Sequence, residues 1–194
     1  MSSFSDRAAN FISRNNPLKD PAFAQDASRA LRFNNNYNYG PISIFAAFAG
    51  SHLLLQHRIP MLFYGIDNMV YPRDDLRVHG ERHVASGKIN PEQLRRLKRW
   101  EAAHYNAVEN LPIFVGTILS LQVAGVSNRL INRVAGVYLT ARAAFAALYI
   151  TVEDPSLAWL RTISWWTGNI TCIYGLVQAA KVLNHGVATA TTAL

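Results

Sequence analysis

The sequence predicts an all-α integral membrane protein built as a four-helix bundle. Three observations predict it. Half of the 194 residues are apolar and 16% are charged, against about 25% charged in an average globular chain. Ala141 to Ile150 is apolar on every face apart from Arg142, whereas a helix of a soluble bundle keeps a polar stripe. The positive charge is unevenly placed. Eight of the 19 basic residues (Arg73, Arg77, Arg82, Lys88, Arg95, Arg96, Lys98 and Arg99) lie between Asp67 and Glu101, as in a cytoplasmic loop under the positive-inside rule. The mean hydropathy of +0.04 falls between a soluble enzyme and a fully embedded transporter, which suits membrane spans joined to polar segments.

The elements follow in order. Residues 1–40 are polar and asparagine-rich, with no apolar stretch that reads as a cleavable signal. They read as a tail. The membrane domain runs over 41–183, and 184–194 is a short C-terminal tail. From Pro41 the chain turns apolar, and the stretch from Ile42 to Ile66 exceeds the ~20 residues a span needs, although Arg58 and Pro60 interrupt it. The basic loop occupies 67–101. Within it Asn90-Pro91-Glu92-Gln93 reads as a helix start, with an Asn cap, Pro at the first helical position and Gln at the third. That second helix begins basic and becomes apolar from Leu111 to Val123, and Gly125 and Ser127-Asn128 break it. A third helix runs from about Leu130 to Thr151. Asp154-Pro155 opens a fourth, to about Leu183. An even number of spans puts both termini on one side. The basic loop and residues 151–157 then face the other, cytoplasmic, side.

Charge and cysteine usage exclude other classes. A net charge of +7 invites a nucleic-acid reading, but the clustering beside apolar runs and the lack of any nucleic-acid motif argue for no nucleic-acid partner. A single cysteine, Cys172, allows no internal disulfide and no cysteine metal cluster. His79-Gly80-Glu81-Arg82-His83 is not an H-E-x-x-H arrangement, so no metal is expected.

The polar groups inside the spans carry the functional signal. A lone charge at mid-membrane costs ~2.5–3.5 kcal/mol on insertion scales and seeks a partner. Glu109 in the second helix and Arg142 in the third have opposite sign at similar depth and are expected to pair. Arg99, Asn106, Glu109 and Asn110 share a face of the second helix, and Tyr138, Arg142 and Tyr149 share one of the third. Pro112 cannot donate its backbone hydrogen bond and frees the carbonyl of Val108. Arginines suit carboxylates, and Asn and Glu suit amide or ammonium groups, so the set suits an anionic, peptide-like ligand held between helices.

These residues also carry a resemblance. Ala103-His104-Tyr105-Asn106-Ala107-Val108-Glu109-Asn110-Leu111-Pro112-Ile113-Phe114 resembles the second-helix signature of the MAPEG family, the membrane-associated proteins in eicosanoid and glutathione metabolism. Tyr138-Leu139-Thr140-Ala141-Arg142 with Tyr149 is similar to the family's third helix. Leu160-Arg161-Thr162 followed by Trp165 resembles the L-R-S segment that opens its fourth. The likeness covers about Pro41 to Leu183. The long basic loop and the extended connection from Tyr149 to Arg161 are most similar to fungal members.

The resemblance implies a microsomal (endoplasmic reticulum), multi-pass homotrimer that sits in membrane lipid, binds glutathione between subunits and acts on a lipophilic small-molecule substrate. Asn106 and Glu109 would hold the glutathione backbone and amino end, and Arg142 and Tyr149 its other polar groups, with Tyr138 on the same face. Arg161 would be the catalytic residue facing the sulfur, and Thr162 stands where some members have a serine. The chain departs from the family at Ala102, where many members have arginine; either Arg99 one turn earlier replaces it or that carboxylate contact is missing. It departs again at Phe145, where some have tyrosine. Arg58 is the candidate for the family's first-helix arginine. Three readings follow: a glutathione-dependent transferase, peroxidase or isomerase; a glutathione-independent isomerase, cyclase or lyase on a hydrophobic natural product; and a non-catalytic membrane scaffold.

Overall fold

The computed structural model describes residues 37–71 and 74–191, with side chains as far as residue 184. Most of the expected N-terminal tail lies outside the described residues. Among the described residues all regular structure is helical. Helix α1 (Gly40–Ala49) starts on Pro41 and runs on through one π-helical turn, Gly50–Leu54. Two short helices follow, α2 (Arg58–Phe63) and α3 (Gly80–Ala85). Three long ones complete the chain: α4 (Pro91–Val123), α5 (Asn128–Thr151) and α6 (Ala158–Thr191), the last entered through a 3₁₀ turn at Pro155–Leu157. Helix α1 packs on α4 and α5, α4 on α5 and α6, and α5 on α6.

The local signals act as their chemistry requires. Asn90 Oδ1 accepts from the Gln93 N–H, and Gln93 Oε1 accepts from the Asn90 N–H, both at 2.7 Å, a reciprocal box that starts α4. Gly125 takes φ +67°. It lets the Val126 N–H reach back to the Leu121 carbonyl at 3.1 Å and close α4. Asp154 Oδ1 accepts from the Ser156 N–H at 2.8 Å and starts the turn into α6. Helix α6 continues past the expected Leu183 to Thr191.

Two features differ from the sequence reading. The apolar stretch from Ile42 to Ile66 is not one helix. It breaks at Leu55, because Arg58 is drawn to Asp67 in a bidentate pair at 2.8 and 2.7 Å. Arg58 thus belongs to the polar end of the molecule, and the first helix is about 22 Å long at 1.5 Å per residue. Among the described residues, α5 is the one helix long and apolar enough to cross a membrane by length and composition. The first turns of α4 are dense in charge, and polar groups dilute α6.

The described part of the basic loop is not a bare loop either. Met61, Ile66, Leu76, Ile89, Leu94 and Leu97 form a small buried core, and the buried Asp75 carboxylate accepts the Asn68 N–H at 2.7 Å. This small core is separate from the main one, where Phe114, Ile118, Leu121, Ile131, Val134 and Cys172 meet between α4, α5 and α6. Two bonds tie the end of α1 to α4. Trp100 Nε1 donates to the Leu55 carbonyl at 3.0 Å, and His104 Nδ1 contacts the Ser51 carbonyl at 2.9 Å.

Helix α6 approaches α4 closely at Gly175, where a Cβ would stand 2.6 Å from Thr117 Cγ2. Thr117 is fully buried and cannot give way. Gly175→Ala is therefore expected to lower stability by about 1–3 kcal/mol. Gly116→Ala meets nothing within 4 Å and is expected to be neutral or stabilising by up to about 1 kcal/mol. Thermal unfolding in detergent followed by circular dichroism checks both.

The junction at His57 predicts a pH dependence. His57 is buried, with Nδ1 lacking a protein partner. Burial first, then His104 and Arg58, pushes its pKa down to about 4. Its folded pKa lies below the unfolded value, so its contribution is complete above about pH 6.5 and is lost as pH falls toward 4. Asp67, whose pKa the hydrogen bond from Arg58 lowers, adds a loss at lower pH. Glu101, 3.9 Å from His57, has its pKa raised by burial and opposes the trend near the carboxylate range. The melting temperature is expected to fall between pH 6.5 and 5, and to fall less in His57→Gln.

Candidate functional site

Arg142 sits mid-way along α5 among apolar neighbours. Its Nη2 donates to the Asn106 carbonyl at 3.1 Å and, more closely, to Asn106 Oδ1. Asn110 Nδ2 donates to the same Asn106 carbonyl at 2.9 Å, and the Tyr138 hydroxyl donates to the Asn110 carbonyl at 3.0 Å. The Tyr138 ring stacks flat on Phe114, 4.0 Å between centroids. The donors from α5 thus reach carbonyls on both sides of Val108, whose carbonyl Pro112 leaves without its helical N–H.

The expected Glu109–Arg142 ion pair does not form. Asn106 and Asn110 are four residues apart and make the stripe of α4 that faces α5. At about 100° per residue, Glu109 is turned roughly 60° to the side of that stripe. It is exposed and pairs with no cation among the described residues.

A second cluster lies at the end of α5. Arg99 Nε donates to the Tyr149 carbonyl at 2.7 Å, and its Nη2 donates to the Val152 carbonyl. Its Nη1 also lies 3.9 Å from Glu153. Arg99 therefore satisfies carbonyls that the helix end leaves open. The Arg161 guanidinium carbon lies 4.3 Å from the centroid of the Tyr149 ring. Among the described residues Arg161 meets no hydrogen-bond acceptor and no carboxylate. Thr162 beside it is exposed.

The two clusters are joined by a side chain that the sequence reading treated only as a departure. Arg142 stands over the Phe145 ring, 4.7 Å to its centroid. Phe145 tilts against Tyr149 at 5.4 Å, and Tyr149 lies under Arg161. Phe145, Tyr149 and Arg142 are three, four and seven residues apart, so helical spacing alone stacks them. The aromatic pair holds a guanidinium at each end. Of the sequence-named residues, Arg142 meets Asn106, Tyr138 meets Asn110, Arg99 and Arg161 each meet Tyr149, and Glu109 and Thr162 stand exposed.

The described residues define an all-helical class of protein, with one helix long and apolar enough to cross a membrane and with amide and guanidinium groups set between its helices. Residues 45–181 match the family model described as MAPEG family, and the chain belongs to that family. No curated protein and no solved structure matches it significantly. Membership implies membrane association and glutathione-related transferase or isomerase-type work. Family members generally use glutathione as substrate or cofactor and are often trimers acting on lipophilic substrates.

The Arg142 contact yields a prediction opposite to the ion-pair expectation. Asn106→Leu removes the side-chain acceptor of the Arg142 guanidinium, leaves it the backbone carbonyl alone, and is expected to cost about 1–3 kcal/mol. Glu109→Gln, measured without ligand, is expected to stay within about 0.5 kcal/mol. Denaturant unfolding in detergent compares the two.

Proposed function

We propose that the protein is a membrane-bound, glutathione-dependent transferase, peroxidase or isomerase acting on a lipophilic electrophile. The observation that carries this reading is Arg161, a guanidinium held over the Tyr149 ring with no counter-charge among the described residues. Such a group favours a bound anion. A guanidinium beside a thiol lowers the thiol's pKa by stabilising the charged form, which is the nucleophile.

The surrounding groups fit the rest of glutathione. Arg142 occupies the side-chain oxygen of Asn106, so the free end of that amide is its N–H₂, a donor for a peptide carbonyl or carboxylate. Glu109 is an exposed, unpaired carboxylate suited to an ammonium group. Tyr149 and Thr162 bring hydroxyl groups to the Arg161 side. Three residues act by positioning: Arg142 orients Asn106, Tyr138 ties α5 to Asn110, and Arg99 holds the end of α5 beneath Arg161. Bound glutathione supplies a thiolate for the electrophilic carbon or peroxide oxygen of the lipophilic substrate. Helices α1, α4, α5 and α6 form a four-helix membrane subunit in a homotrimer of the endoplasmic reticulum, with 67–101 and 151–157 toward the cytoplasm. A neighbouring subunit covers the exposed Glu109 face and closes the site.

Arg161→Ala tests the reading. Glutathione binding by calorimetry is expected to persist, since Asn106 and Glu109 remain. The ultraviolet absorbance of the bound thiolate at neutral pH is expected to vanish, and turnover of a lipophilic electrophile to fall at least about 100-fold. Arg161→Lys is expected to recover part of both, because it keeps the charge and loses the planar fork. A wild-type protein that neither binds glutathione nor shows the thiolate signal would sink the proposal.

A further inference from the structure

The small unit formed by α2, α3 and the first turns of α4 has a dry core and an apolar outside. Met61 and Ile66 are buried in that core, while their neighbours face out. Leu62 and Phe63 end α2 exposed, Phe63 at 85%, and Met69 and Val70 are exposed in the turn that follows, Met69 at 84%. Single exposed apolar residues are ordinary on a protein surface. Two pairs this close along the chain mark an interaction site.

Both pairs are held in place. Gly65 takes φ +62°, and the Ile66 N–H returns to the Met61 carbonyl at 3.2 Å, so the chain turns directly after Phe63. Arg58 fixes Asp67. The buried Asp75 carboxylate accepts the Asn68 N–H, and Asn68 Oδ1 accepts the Val70 N–H at 2.9 Å.

Cations stand beside them. Lys88 Nζ lies 3.4 Å from the Gly65 carbonyl, two residues from Phe63. Burial first, then Lys88, His79 and Arg82, keeps the His83 pKa below its ordinary value, so Lys88 and Arg82 are both close to that ring. Both are exposed and pair with no carboxylate among the described residues. Nearby carboxylates are engaged elsewhere, Asp67 with Arg58 and Glu81 with Lys98.

Apolar side chains next to unpaired cations match the interface of an anionic bilayer, which takes apolar groups between its headgroups and offers phosphates to lysine and arginine. A protein partner would have to supply fixed acceptors to two long, exposed side chains, whereas a fluid layer of phosphates accommodates them in any rotamer. Membership of a membrane-associated family keeps a bilayer within reach. The apolar exposure also continues along the chain from α1, through Leu53, Leu54 and Ile59 to Leu62.

We infer that this unit docks on an anionic membrane surface, with Leu62, Phe63, Met69 and Val70 seated among the headgroups and Arg82 and Lys88 on their phosphates. Docking couples the junction of α1 and α4, through the Arg58–Asp67 clamp, to the charge of the membrane. The inference rests on membrane association and on no step of the proposed chemistry.

The test places a bimane label at Phe63→Cys or Met69→Cys in the full-length protein with the buried Cys172 replaced by Ala, helical circular dichroism verifying the fold. The protein is reconstituted in nanodiscs of phosphatidylcholine alone or mixed with phosphatidylserine. Quenching by a doxyl group placed near the headgroups is expected to be at least about twofold stronger with phosphatidylserine, and quenching by aqueous iodide to fall in step. The double variant Arg82→Gln/Lys88→Gln is expected to return both readings to their phosphatidylcholine values. High salt, which screens the attraction without any substitution, is expected to do the same. Equal quenching in the two lipids, or a phosphatidylserine effect that survives both the double variant and salt, would overturn the role of the cations and with it the inference. Labels open to iodide and unquenched by lipid in every disc would overturn it outright. Labels shielded from iodide yet unquenched by lipid would overturn it in favour of a contact between copies of the chain.

Discussion

A guanidinium inside an apolar helix pair has to be answered by an oxygen, and in this protein the oxygens belong to Asn106. The contact between Arg142 of α5 and Asn106 of α4 fixes the rotation of each helix about its axis. With those rotations set, Tyr138 meets Asn110 and Phe114 stacks on Tyr138. Phe145 and Tyr149 then fall in line toward Arg161. An amide partner also leaves Arg142 charged without neutralising it. That distinguishes it from an ion pair and leaves a positive charge between the two helices.

The polar end of the molecule is built by a different rule. Arg58 and Asp67 clamp the chain after α1, and a small apolar core gathers α2, α3 and the first turns of α4. Basic residues on the outside of this unit can face anionic headgroups while its core stays dry. Arg95 and Arg99 reach from the same end to Glu153 and to the carbonyls that end α5. The end of α5 is therefore held by α4, and the short connection from Val152 delivers Arg161 back onto Tyr149.

The chemistry follows from what is satisfied and what is not. Arg99, Tyr138 and the Asn106 oxygen have their partners within the chain. Among the described residues Arg161 rests on the Tyr149 ring without a carboxylate, and Glu109 stands without a cation. Phe145, a departure from the family pattern, keeps an aromatic surface between the two guanidinium groups without adding a hydroxyl.

The helical class, the caps at Asn90 and Asp154, the break at Gly125 and the family motif around Asn106 were legible in the sequence, because each depends on neighbours within a few positions. Which residue answers Arg142 was not. Depth along two helices makes Glu109 and Asn106 near equivalents, and only the relative rotation of α4 and α5 turns Asn106 inward and Glu109 outward. The break at Leu55 was hidden for the same kind of reason, since the pull on Arg58 comes from Asp67, outside the apolar pattern. The core inside the basic loop joins residues from Met61 to Leu97 with no common period. The cavity beside Arg142, between α1, α4 and α5, exists because these helices pack with alanines facing one another. Local chemistry set the helices and their ends, and packing decided which faces meet and so which charges remain free.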